Sequence, residues 1–337
     1  MNAFKKVLIT GGAGYVGSLL VPQLLDEGRE VVVYDSCLYG DWGMDGVKGR
    51  AGYALVKADI LDQKAFKAAL AGVDAVIHLA CISNDPSFAL DPGLSKAINF
   101  DAFEPLVTLS KGAGVKRFIY ASTSSVYGVS DAPEVAEDHP LVPITDYNKY
   151  KGLCEPILER HRAPGFTTVT IRPATVCGYA PRLRLDLTVN ILTACAYFKQ
   201  EITVHGGVQM RPNLHVQDMC DLYKLLLALP AERIDGGVFN AGYQNRTVAD
   251  IAGIVKSVVE RKVPGKPIKV VTTPSDDIRS YHISSAKIAR VLGFTPKKSI
   301  EDAVSDLVDA FAAGKVPGAM TDPRYYNIKA LQAAKKG

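Results

Sequence analysis

Short apolar runs alternate along the chain with stretches whose apolar residues recur at helical spacing. Residues 6–10 carry Val7, Leu8 and Ile9 and are closed by Gly11 and Gly12, which predicts a buried parallel strand rather than an amphipathic edge strand. From Tyr15 onward Val16, Leu19, Leu20 and Leu24 share a helix face that ends at Gly28, and residues 30–35 form a second apolar run. Together they predict a βαβ unit of about thirty residues. The alternation continues with strands over 53–56, 75–79, 118–122 and 168–171, and with helices around 63–70, 95–112 and 146–161. Strands separated by helices predict an α/β fold, a Rossmann-type doubly wound parallel sheet covered on both faces.

After Arg172 the pattern loosens, with Pro173, Gly178 and Pro181 close together and an arginine-rich stretch, Arg182-Leu183-Arg184. A second, smaller lobe is expected from about Cys177. Residues 238–240, followed by Ala241-Gly242, read as one more strand of the first sheet, so the two parts interleave. The expected division is a nucleotide-binding domain over 1–176, with a returning segment near 237–262, and a substrate lobe made mainly of 177–337.

Composition supports this picture and narrows the function. A chain of 337 residues suggests two domains at roughly 150 residues each. With 47% hydrophobic and 22% charged residues it has ample material for a core, which excludes disorder as the main state. The net charge of +4 is spread without a basic block, so nucleic acid is not an expected partner. The apolar stretch after Lys6 is too short for the core of a signal peptide, and no segment approaches the roughly 18 apolar residues of a membrane span. A cytoplasmic protein with no membrane partner is expected. The six cysteines are scattered, with no Cys-x-x-Cys pair and no histidine at ligand spacing, which predicts core thiols rather than a metal site or a disulfide framework.

Three segments carry candidate chemistry. Gly11, Gly14 and Gly17 lie between a predicted strand and a predicted helix, where glycine lets the backbone turn and approach a pyrophosphate held by helix N-terminal N–H groups. Asp35 ends the next strand, where a carboxylate accepts from ribose hydroxyls and repels a 2′-phosphate, which favours NAD over NADP. Outside this setting the same residues would read as a structural turn and a solvated acid. Tyr147 and Lys151 are four apart on one helix face, where an ammonium can lower a phenol's pKa and make it a usable base. Alone they would be an exposed helix pair. Residues 120–128, Tyr-Ala-Ser-Thr-Ser-Ser-Val-Tyr-Gly, place hydroxyls beyond the end of the fifth strand, at the edge where open parallel sheets bind ligands. Alone they would be a Ser/Thr turn.

In this order the three segments resemble the extended short-chain dehydrogenase/reductase family, in its branch of NAD-dependent nucleotide-sugar epimerases and dehydratases, over nearly the whole chain. The resemblance implies Tyr147 as general base, Lys151 as its tuner and ribose anchor, and Thr123 as partner of the reacting hydroxyl. It implies that NAD lies on Gly11, Gly14, Tyr15, Val16, Gly17, Asp35, Asp59, Ile60, Leu79, Ala80 and Asn99, as well as on Tyr147 and Lys151. It further implies a nucleotide-diphosphate sugar on Ser83, Thr123, Ser124, Thr175, Arg211 and Arg279, no metal, and a homodimer. Guanidinium groups suit the diphosphate oxygens, though either arginine could instead form a surface ion pair.

The chain departs from the family pattern in three places. The dehydratases carry an Asp-Glu pair after the catalytic Thr, and here stand Ser124 and Ser125. The usual Asn and Tyr after the sixth strand are Thr175 and Cys177. The motif Tyr-Gly-x-Ser-Lys is Tyr147-Asn148-Lys149-Tyr150-Lys151. The first departure disfavours dehydration, so the expected reaction is epimerisation, most simply at C4 through a transient keto sugar. A nucleotide-sugar dehydrogenase or reductase is the alternative enzyme, and a non-catalytic dinucleotide sensor is the alternative of another class. Cys81 and Cys177, next to strand ends, are candidates for a proton-transfer role or for packing.

Overall fold

The protein is described by a computed structural model covering residues 4–265, 267–275 and 280–334. Its first half runs β1 (Lys6–Thr10), α1 (Tyr15–Asp26), β2 (Glu30–Asp35), β3 (Tyr53–Lys57), α2 (Gln63–Ala69), β4 (Ala75–His78), α3 (Asp85–Ala89), α4 (Pro92–Lys96), α5 (Phe103–Gly112), β5 (Arg117–Ala121), α6 (Asp146–His161) and β6 (Thr167–Pro173). The second half runs β7 (Thr175–Cys177), α7 (Thr188–Lys199), β8 (Glu201–His205), β9 (Met210–His215), α8 (Val216–Ala228), β10 (Gly237–Ala241), β11 (Gln244–Thr247), α9 (Val248–Lys262), β12 (Lys269–Thr273), α10 (Ala286–Leu292), α11 (Ile300–Ala312) and α12 (Asn327–Ala334).

Seven strands form one parallel sheet in the order β10-β6-β5-β4-β1-β2-β3. The order reverses beside β1, and at such a point the strand ends open a crevice for a ligand. The central strands are apolar on both sides because both faces are covered: Val7 and Ile9 join the core that includes Leu20, Leu24, Leu222 and Leu226 of α1 and α8, and Leu8 joins the core with Phe66, Phe103 and Leu158.

The expected strand at 238–240 is β10, paired in parallel with β6. The return to the sheet is narrower than 237–262, because α9 packs with α7 and α11 around Val255, Val259, Val189 and Val304. The helix expected over 95–112 is also broken into parts: α4 passes into a wide turn, Ala97–Asp101, before α5 begins. The side chain of Asn99, inside that turn, donates to Ile82 O at 3.0 Å and accepts from Ile82 N at 2.8 Å, so its place is fixed by a strand-end loop rather than by helical spacing.

The helix that matters most for chemistry is well specified at both ends. Thr145 caps α6 by accepting from Asn148 N at 3.3 Å, Asp146 lies in its first turn, and Arg160 and His161 lie in its last. The Asp146 and Arg160 charges complement the helix dipole. No helix among the described residues is long and apolar enough to cross a membrane.

Candidate active site

One cleft of about 570 Å³ runs along the carboxyl ends of β1, β2, β4 and β5. At one end Gly11 turns with φ +68°, and a Cβ there would lie 2.6 Å from Ala80 N at the end of β4. A Cβ on Gly17 would lie 2.2 Å from Gly12 O. Both positions therefore require glycine, and the turn they make leaves α1 with Gly14 as its N-cap and no side-chain cap. The first-turn N–H groups thus face the cleft with no intrahelical acceptor, a setting suited to a pyrophosphate. Asp35 closes this end. Its carboxylate accepts from Ala13 N at 3.0 Å and Cys37 N at 2.8 Å, and burial pushes its pKa above the ordinary carboxylate value against the pull of those amides and of Arg182. Asp59, Ile60, Leu79 and Ala80 line the same end.

At the other end Thr123 follows β5 and caps the short turn Ser124–Tyr127, accepting from Ser125 N at 3.2 Å. Tyr147 and Lys151 reach the same cleft from α6, together with Ser83, Ser124, Thr175 and Arg211. Burial drives the Tyr147 phenol well above its usual range, Cys81, Asp85 and Tyr281 push the same way, and Arg184 opposes them. The Lys151 ammonium donates to Ala121 O and lies 4.5 Å from the centre of the Tyr120 ring, and Arg184, a cation that the helical spacing did not point to, pulls Tyr147 down.

Asn99 is not among the residues that line the cleft, and both ends of its amide are occupied by the Ile82 backbone. Arg279 lies outside the described residues. Cys177 is buried with its thiol pushed up to about 12 by that burial, and it packs in the lobe core, whereas Cys81 lines the cleft.

The segment read only as arginine-rich proves to be a wall of the cleft. Leu183 and Leu185 turn into the core, while Arg182, Arg184 and Asp186 face the cleft. Arg184 donates to both oxygens of Asp186 at 2.9 and 3.1 Å and to Ser83 Oγ at 3.0 Å. The guanidinium of Arg182 lies over Tyr39 and Trp42 and donates to Asn327 Oδ1 at 2.8 Å, and Asn327 Nδ2 donates to Ser83 Oγ at 3.2 Å. The period-two alternation of leucine with charge was the available signal. Tyr15 ties this wall to the glycine turn: its hydroxyl donates to Gly178 O and accepts from Asn190 Nδ2, which also donates to Arg184 O at 2.9 Å.

Behind the reacting end lies a buried polar chain. Glu155 accepts from Ser122 Oγ at 2.5 Å and from Arg172 Nη2 at 2.6 Å, Arg172 Nη1 donates to Tyr127 Oη at 2.7 Å, and Tyr127 donates to Asn240 Oδ1 at 2.7 Å. It joins α6, β5, β6 and β10, so the helix carrying Tyr147 is held in register with the turn carrying Thr123.

Residues 7–242 match the family described as the NAD dependent epimerase/dehydratase family. A UDP-glucose 4-epimerase of Lactobacillus helveticus is 27% identical over 325 residues, covering 89% of this chain and 95% of that protein. A UDP-glucuronic acid decarboxylase of Arabidopsis thaliana is 29% identical over 321 residues, covering 91% and 89%. The structure of a dTDP-glucose 4,6-dehydratase from Streptomyces venezuelae with NAD bound superimposes with a TM-score of 0.83 at 24% identity, covering 95% of this chain and 99% of that one.

Proposed function

The chain belongs to the NAD-dependent epimerase/dehydratase family, and on that premise we propose that it epimerises a nucleotide-diphosphate sugar, most simply at C4, through a transient keto sugar. Its cofactor is NAD, and the glycine turn, the uncapped first turn of α1 and Asp35 fit it. Held there, NAD would supply the hydride acceptor for the sugar carbon and the hydride donor for its return on the opposite face.

The chain's own residues handle protons and position. In its ionised form Tyr147 takes the proton of the reacting hydroxyl, and the Thr123 hydroxyl holds that hydroxyl's oxygen in place. Lys151, buried beside Ala121 O, anchors the ribose, and Arg184 opposes the burial that keeps Tyr147 protonated. Arg211, which lines the cleft, meets the diphosphate in this reading.

The observation that carries epimerisation over dehydration is the pair Ser124 and Ser125 beside Thr123. Loss of water from C5 and C6 needs an acid and a base near those carbons, and Ser125 instead takes a hydrogen bond from Thr123 Oγ1 at 3.3 Å. Four carboxylates line the cleft, yet Asp35 and Asp59 lie at its nucleotide end, Asp186 is held by Arg184 and Asp85 accepts from Thr145 Oγ1 at 2.6 Å.

Mass spectrometry of products from UDP-glucose and dTDP-glucose tests this reading. The expected product is a stereoisomer of unchanged mass with no net NADH. A product lighter by water would mean dehydration, one lighter by two hydrogens with stoichiometric NADH would mean a dehydrogenase, and either result overturns the proposal.

A further inference from the structure

Asn148 stands beside Tyr147 on α6, where the epimerase motif has glycine. It is 3% exposed, it lines the cleft, and its Oδ1 has no hydrogen-bond partner. Four residues on, where side chains share a helix face, the missing Cβ of Gly152 would lie 3.5 Å from a Val126 methyl. That face of α6 therefore lies on the turn that carries Ser124 and Ser125. Folded proteins rarely leave a buried amide oxygen unpaired, because its hydration is lost and nothing replaces it.

We propose that Asn148 is a further substrate-binding residue: its amide bonds a hydroxyl of the sugar held between Tyr147 and the Thr123–Ser125 turn, and so selects for a sugar hydroxylated at that position. The proposal rests on the nucleotide-sugar reading above. A hydroxyl both donates and accepts, so it satisfies the amide whichever way the amide is turned. A methylene in its place leaves the amide buried and unpaired, and sites built to bond a hydroxyl reject such an analogue strongly.

The test compares wild-type holoenzyme with Asn148→Leu, which keeps the volume and removes the polar atoms, and with Asn148→Gly. Transient reduction of bound NAD and steady-state turnover are measured with UDP-glucose, dTDP-glucose and the 2-, 3- and 6-deoxy analogues of whichever responds. For the full sugar KM is expected to rise about tenfold or more in both variants. One deoxy analogue, poor for the wild type, should lose nothing further in the variants, while NAD affinity and thermal midpoint stay put. Values of KM within twofold of wild type, or an equal loss for every analogue, overturn the assignment of Asn148 and leave the proposed function standing. A wild-type protein that reduces its NAD with none of these sugars overturns both.

Discussion

The two ends of the cleft are built from different materials. The nucleotide end comes mainly from one stretch, β1 to β2, with Asp59, Ile60, Leu79 and Ala80 beside it, and its shape depends on missing side chains: Gly11 packs on Ala80 N and Gly17 packs on Gly12 O. The reacting end comes from separate segments, Ser83 to Asp85, Thr123 to Ser125, Tyr147 to Lys151 and Arg182 to Asp186, and its shape depends on the side chains they carry. A backbone-built site tolerates few changes. A side-chain-built site can be rewritten without disturbing the sheet below it, which is how one cofactor frame can support relatives named as epimerase, decarboxylase and dehydratase.

The sharpest way to break this contrast is Tyr147→Phe. Turnover should fall about a thousandfold while NAD binding, measured by titration, stays within threefold. A comparable loss of NAD affinity would mean that the two ends are not separable. The converse substitution, Gly17→Ala, should weaken NAD binding about ten- to a hundredfold, because the new methyl forces the turn apart from Gly12 at a cost of about 1–3 kcal/mol. Unchanged affinity would show that the turn is more compliant than its contacts imply.

The reacting end can be retuned through the pair Arg184 and Asp186. Replacing both at once, Arg184→Gln with Asp186→Asn, avoids leaving one buried charge alone. Arg184 pulls the Tyr147 pKa down, so its removal should move the limb of the pH–rate profile that reports the ionised phenol to higher pH. A profile that stays in place would assign the tuning to another group.

The smallest effect concerns the floor between the two ends. His78 is buried at the end of β4, shares a hydrogen bond with Thr10 at 2.8 Å, and is held down to about 3 by burial. Between that value and its ordinary 6.5 the unfolded chain binds a proton that the fold does not, so stability falls as pH falls through this window. Urea unfolding should lose about 1 kcal/mol between pH 6.5 and 5.5, and His78→Phe should flatten that slope. An equal slope in the variant would place the titration elsewhere.

These differences also explain what could be read in advance. The glycine turn, Asp35 and the strands up to β6 are local patterns, and β10 shows itself as an apolar run ending in Ala241-Gly242. Tyr147 and Lys151 are visible because helical spacing places them together. The wall at Arg182 to Asp186 is irregular backbone, so its alternation with Leu183 and Leu185 signals a buried and an open side but no strand or helix that would place it at the cleft. Asn99 lies in a wide turn and bonds the Ile82 backbone, a contact that helical spacing does not encode. The unpaired oxygen of Asn148 is a property of what packs around it, which no spacing encodes.

Asn327 holds Arg182, Ser83 and Asp186 together at the mouth of the cleft. Chains are synthesised from the amino end, and the glycine turn emerges long before residue 327 has been translated. A nascent chain can thus assemble the strands and turn that take a dinucleotide while the sugar side still lacks its clasp. Cofactor loading on the ribosome would precede any ability to grip a substrate, and the growing polypeptide would be spared turnover until its far helix had docked.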